Sequence, residues 1–138
     1  MERPTTCALR KAPLLAGKEP KDIAGPVART LVGPKASEEA YERLVDSMCR
    51  LHKESYIKSI EASVRMDPRS DLANIKVPTL VIAGADDRLT PPDVARELAS
   101  EIPGAELVIV PDAGHLVNIE QPEPFNAALL AFLGKHVG

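Results

Sequence analysis

Val77-Pro78-Thr79-Leu80-Val81-Ile82-Ala83-Gly84-Ala85-Asp86-Asp87-Arg88-Leu89-Thr90-Pro91 is an apolar run that stops at a glycine and two acids. The run from Thr79 to Ala83 is short, β-rich and almost continuously apolar, the pattern of a strand covered on both faces in a parallel sheet. Leu107-Val108-Ile109-Val110 repeats it, and Asp112-Ala113-Gly114-His115 follows. Between the two runs, Val94, Ala95, Leu98, Ala99 and Ile102 recur at helical spacing over Pro92 to Ile102 and give one buried stripe. Strand, helix, strand predicts a right-handed crossover and two parallel strands, with the loops after both strands emerging at the same carboxyl edge. Asp87 and His115 lie in those loops, separated by the length of one βαβ unit. A carboxylate on one imidazole nitrogen fixes the tautomer and stabilises the cation, which leaves the other nitrogen to take a proton from a nucleophile.

With these pieces in order, residues 72–133 resemble the C-terminal end of an α/β-hydrolase. Val77 to Gly84 looks like its acid-bearing strand, Gly84-x-x-Asp87 with Pro91 like its acid loop, Gly114-His115 like its histidine loop, and Glu120-x-Pro122-x-x-Phe125 like the start of its closing helix. The resemblance implies Asp87 as the catalytic acid, with the neighbouring Asp86 at a position the family fills variably, and His115 as the catalytic base. Read without the resemblance, Asp86 and Asp87 are turn formers and His115 follows a flexible Gly114. The ordered run of both loops, the intervening helix and the closing helix favours the catalytic assignment.

The family places its nucleophile on a strained G-x-S-x-G elbow ahead of the acid and histidine. No serine here, from Ser37 to Ser100, has glycines two residues away on both sides, and neither Cys7 nor Cys49 has that setting. Hydrolysis needs the nucleophile, the histidine and the oxyanion donors in one cavity, so the residues present supply two thirds of a triad. The expectation is therefore α/β: the C-terminal part of an α/β-hydrolase parallel sheet preceded by a helical cap, with the nucleophile on polypeptide upstream of Met1. Such a chain is expected to be inactive alone.

Organisation changes near Asp67-Pro68, which divides a helical region, 1–67, from a core segment, 68–138. A first helix is expected from Pro20 to near Gly33-Pro34. A second starts after Ser37, a good N-cap with Glu38 and Glu39 in the first turn, and presents Tyr41, Leu44, Val45, Met48, Leu51 and His52 on one face. A third, Ser55 to Met66, presents Tyr56, Ile57, Ile60 and Val64. The resemblance implies that 1–67 is a cap that shapes the pocket and excludes water. Ala12 to Gly17 and Leu31 to Pro34 loosely resemble caps of the enol-lactone hydrolase branch, exemplified by 3-oxoadipate enol-lactonase. Met48, His52 and Tyr56 are pocket candidates that ordinary packing explains equally well. His52 is assigned to a surface or packing role and His136, near the C-terminus, to solvent.

Glu120 is a further acid near His115. Glu120-Gln121-Pro122 precedes an apolar helix, so its carboxylate is expected to complement that helix's N-terminus and support the loop. The helix, Pro122 to about His136, is expected to bury Phe125, Ala128, Leu129, Phe132 and Leu133.

With 138 residues, a net charge of −3 and 44% hydrophobic residues, the composition is that of a globular piece of protein. Basic residues are scattered and aromatics number two Phe and two Tyr, so neither nucleic acid nor an acidic membrane is suggested as a partner. The N-terminus has no apolar signal core and no stretch approaches bilayer-spanning length, which predicts a cytoplasmic protein. Cys7 and Cys49 fit free thiols in a reduced compartment, and a single disulfide is the alternative. The three histidines and two cysteines show no paired ligand spacing, so no metal is expected. Gly84-Ala85-Asp86-Asp87 lacks the glycines and lysine of a phosphate loop, so no cofactor is expected. The partners implied are a small-molecule ester or lactone, and either a missing N-terminal hydrolase portion or a second copy of the chain. Two parallel strands with apolar faces leave edges uncovered, which predicts a marginally stable or self-associating chain.

Overall fold

The computed structural model describes residues 4–65 and 71–137. Its described residues form two compact units, one within 4–29 and 41–65 and the other within 30–40 and 71–137. In the second unit, β1 (Leu80–Gly84) and β2 (Glu106–Val110) pair in parallel, with Leu80 opposite Glu106 and Gly84 opposite Val110. The crossover between them is α5 (Pro92–Glu101), which begins with Pro92 at its first turn, where a missing N–H costs nothing. Ala95 and Ile102 are buried, and Ala95, Leu98 and Ala99 pack on Val81, Ala83, Leu107 and Ile109.

The other sheet face is covered through Val110, Ala113 and Val117, with Ile82, Val108 and Phe125 packed against them. Val117 lies on the single-turn helix α6 (Val117–Glu120) and Phe125 on α7 (Pro122–His136). Helices on both faces account for the uninterrupted apolar character of the strands. The cover is partial: every residue of β2 except Val110 is half-buried, and no residue of α7 is fully buried. Phe125, Ala128, Leu129 and Phe132 are half-buried, whereas Leu133, expected on the buried face, is exposed. Among the described residues the sheet has two strands, where a wider one would give α7 more to rest on.

The other unit is helical. Its elements are α1 (Pro4–Leu15), the body of α2 (Pro20–Leu31), most of α3 (Glu38–Cys49) and α4 (Lys53–Arg65). On α2, Pro20, Ile23, Ala24, Val27 and Ala28 are buried, a stripe at spacings of three, four and seven. α1 packs on α4 and Lys11 is paired with Glu61. The Arg29 guanidinium lies 3.6 Å from the centroid of the Tyr41 ring.

Ser37 caps α3 as expected, its Oγ accepting the Ala40 N–H at 3.1 Å. Leu44 and Met48 of the expected face are buried. That face ends early, because α3 stops at Cys49 and leaves Leu51 and His52 exposed beyond it. His52 instead starts α4. Its ring Nδ1 accepts the Ser55 N–H at 3.5 Å and its carbonyl accepts the Tyr56 N–H at 2.9 Å, so it belongs to a helix start and not to a packing face.

Helix α1 was not expected, because Pro4 and Pro13 interrupt its pattern. Pro4 stands at the first position and is tolerated there. Met66 and the expected boundary at Asp67-Pro68 lie outside the described residues. Residues 30–40, placed by the sequence in the first region, group with the second unit. Long-range hydrogen bonds tie them there, including His115 N–H to the Leu31 carbonyl at 2.8 Å.

Candidate active site

The pairing of β1 with β2 continues past the strand ends. Ala85 N–H donates to the Val110 carbonyl at 2.9 Å and Asp86 N–H to the Ala113 carbonyl at 2.8 Å. These bonds bring the two loops together. Asp87 is 6% exposed, and its Oδ2 lies 2.9 Å from Nδ1 of His115. A carboxylate only accepts, so Nδ1 carries the proton and donates it, leaving Nε2 as the basic ring atom. Asp86 has no such contact with His115 and is half-buried one residue earlier.

The remaining acceptor capacity of Asp87 is filled. Oδ1 accepts the backbone N–H groups of Leu89 at 2.8 Å and Thr90 at 3.0 Å. The Thr90 hydroxyl donates to Oδ2 at 2.7 Å and stands 3.3 Å from His115 Nδ1. Burial is the largest influence on the Asp87 carboxyl and raises its proton affinity. The backbone and hydroxyl donors of Thr90 and the His115 ring together outweigh it, holding the carboxyl below its ordinary value near pH 3.8. A group whose proton affinity falls on folding stabilises the folded state above its unfolded value, and that contribution is lost as pH drops through the lower, folded value. The thermal midpoint of the chain should therefore fall below about pH 4, with a shallower fall in Asp87→Asn. Parallel midpoint-against-pH curves for the two proteins would refute this.

Thr90 had no role in the sequence reading. An Asp followed three residues later by a hydroxyl residue is the pattern of a side chain capping its own turn, and this is the signal that could have found it.

On the histidine side, Asp112 adopts a left-handed conformation with φ 58°, one that Asp tolerates better than most side chains. Its Oδ1 accepts from the Lys35 ammonium at 2.7 Å, and this contact raises the proton affinity of Lys35. Its carbonyl accepts from Gln121 Nε2 at 3.2 Å. Gly114 is not merely flexible, because a Cβ there would meet the backbone of Gly33 and Leu31.

Glu120 supports the loop, but not through the expected helix N-terminus. It closes α6 and is 9% exposed. Oε2 accepts the N–H groups of Gly33 at 2.7 Å and Gly114 at 2.9 Å, and Oε1 that of Leu116 at 3.2 Å. His136 faces Glu106, its Nε2 lying 3.4 Å from Oε1. Among the described residues no group of three or more His, Cys, Asp or Glu could hold a metal, and no helix is long and apolar enough to cross a membrane.

This fold has counterparts among known proteins. Residues 3–128 match the model of the alpha/beta hydrolase family, and the chain belongs to that family. A 2-hydroxy-6-oxononadienedioate/2-hydroxy-6-oxononatrienedioate hydrolase of Pseudomonas putida is 35% identical over 101 residues, covering 70% of this chain and 35% of the relative. The enol-lactonase of Burkholderia xenovorans LB400 superposes with a TM-score of 0.81 at 30% identity, over 95% of this chain and 51% of that one. A thermophilic esterase of Thermogutta terrifontis gives 0.84 at 26% identity, over 97% of this chain and 52% of that one. The chain thus spans about a third of the curated relative and about half of each solved structure.

Proposed function

We propose that this chain is the acid- and histidine-bearing portion of a serine hydrolase that cleaves an ester or lactone through an acyl-enzyme. The observation that carries the reading is the 2.9 Å contact between His115 Nδ1 and buried Asp87. It leaves Nε2 to accept the proton of a nucleophile and later return it to the leaving group. In this reading 68–138 is the core segment and 1–67 the cap region that selects substrate. The elbow serine and the oxyanion donors come from polypeptide other than these residues, and no cofactor or metal takes part. Hydrolase and enol-lactonase relatives support the substrate class.

A second reading is a non-catalytic module, or half of a split hydrolase, that assembles through its sheet edge. The half-buried β2 and α7 favour it. Turnover of a short-chain nitrophenyl ester separates the two. An enzyme containing this chain should hydrolyse it, and His115→Ala should abolish the activity. Oligomers or mixed assemblies with no turnover would favour the module, and turnover unaffected by His115→Ala would refute the assignment.

A further inference from the structure

We propose that Glu120 is a positioning residue for His115, clamping both sides of the histidine and joining its loop to residues 31–33. This rests on the reading of His115 as the base. The residues flanking His115 both donate backbone N–H groups to this one carboxylate: Gly114 to Oε2 and Leu116 to Oε1. The histidine's own N–H donates to the Leu31 carbonyl at 2.8 Å. Gly33 N–H reaches Oε2 at 2.7 Å, so the carboxylate and the 31–33 backbone enclose the loop from two directions.

Every backbone donor from Gly114 to Leu116 is thereby committed to one of two partners. The His115 backbone is held at the point from which its ring reaches Asp87. The geometry calls for an acceptor at both carboxylate oxygens. A glutamine offers one oxygen and one NH2 group, so at least one of these N–H groups, the part-buried one of Leu116 or the buried pair of Gly33 and Gly114, would face another donor, and an unsatisfied donor away from water is expensive. An aspartate keeps two acceptors on a shorter stem and restores part of the clamp. Glu120 touches neither the Asp87 carboxyl nor the imidazole, so it acts only through the backbone that carries His115.

The test uses nuclear magnetic resonance on the whole chain, which registers the histidine–aspartate hydrogen bond without turnover. In the unmodified chain the amides of Gly33, Gly114 and Leu116 should exchange slowly, and the His115 Nδ1–H should give a sharp downfield resonance. In Glu120→Gln the ring N–H should exchange about tenfold faster or more while the β1 and β2 amides stay dispersed, and Glu120→Asp should fall between the two.

An unchanged His115 ring resonance in both variants would overturn the proposal. So would exchange of the three amides in the unmodified chain at the rate of open loop amides, a result that needs no variant to fold. Loss of esterase activity in His115→Ala tests the proposed function separately. An enzyme containing this chain that shows no turnover, while the chain keeps the clamped resonance, would sink that function and leave the positioning role standing.

Discussion

Replacing Asp87 by Asn in an enzyme containing this chain should lower kcat roughly ten-thousand-fold with little change in KM. The direction of the amide is dictated by its surroundings. The Leu89 and Thr90 N–H groups at 2.8 and 3.0 Å require an acceptor where Oδ1 now sits, so the Asn oxygen stays there and its NH2 occupies the place of Oδ2. That NH2 then points a donor at Nδ1 of His115, 2.9 Å away in the parent. The imidazole must turn into the tautomer with its proton on Nε2, where it cannot accept one from a nucleophile. The cation formed during catalysis also loses its counter-charge. Steady-state kinetics on an ester substrate, with the thermal midpoint as a folding control, checks this. A kcat within tenfold of the parent would remove Asp87 from the catalytic role.

Gly84→Ala should destabilise the chain by about 3 kcal/mol, at the upper end of what overpacking costs. A Cβ at Gly84 would press into the carbonyl oxygens of Gly114 and Ala113. These are backbone atoms with no flexible end to move aside. Gly84 is paired with Val110 and the next two residues are hydrogen-bonded across to the histidine side, so relief requires the two loops to part. Asp86 then loses the Ala113 carbonyl and Asp87 draws away from His115. Gly134, on α7 with nothing near its would-be Cβ, is the matched control, and Gly134→Ala should be neutral or stabilise by up to about 1 kcal/mol. Urea denaturation of both variants decides the matter. A Gly84→Ala loss below about 0.5 kcal/mol would show that the loops are not interlocked.

The strands, α5, α7 and the meeting of Asp87 with His115 were legible because each rests on local pattern. β1 and β2 come from uninterrupted β-rich runs, the helices from repeated apolar spacing, and the convergence of the loops from the handedness of one crossover. What escaped depends on backbone geometry or distant partners. α1 is obscured by Pro13 within it. His52 has the spacing of the preceding face, yet it starts the following helix, because the choice turns on where α3 breaks. The role of Glu120 requires Gly33, which lies far away in sequence and carries no side chain to mark it. The grouping of residues 30–40 with the β-containing unit follows from the same long-range contacts.

The ladder between β1 and β2 has a consequence for how the site can evolve. Asp87 and His115 each follow within five residues of the last paired positions, Gly84 and Val110. The sheet thus works as a caliper whose jaws are the two loops. Sliding one strand past the other by a single residue would open the jaws by about 3.3 Å and turn the apolar faces over. That is more than the whole 2.9 Å gap between the two groups. The exposed face of α5, by contrast, lies outside the ladder and can drift in sequence without resetting the instrument. Insertions within either strand erase the dyad, whereas changes along the crossover leave its calibration intact.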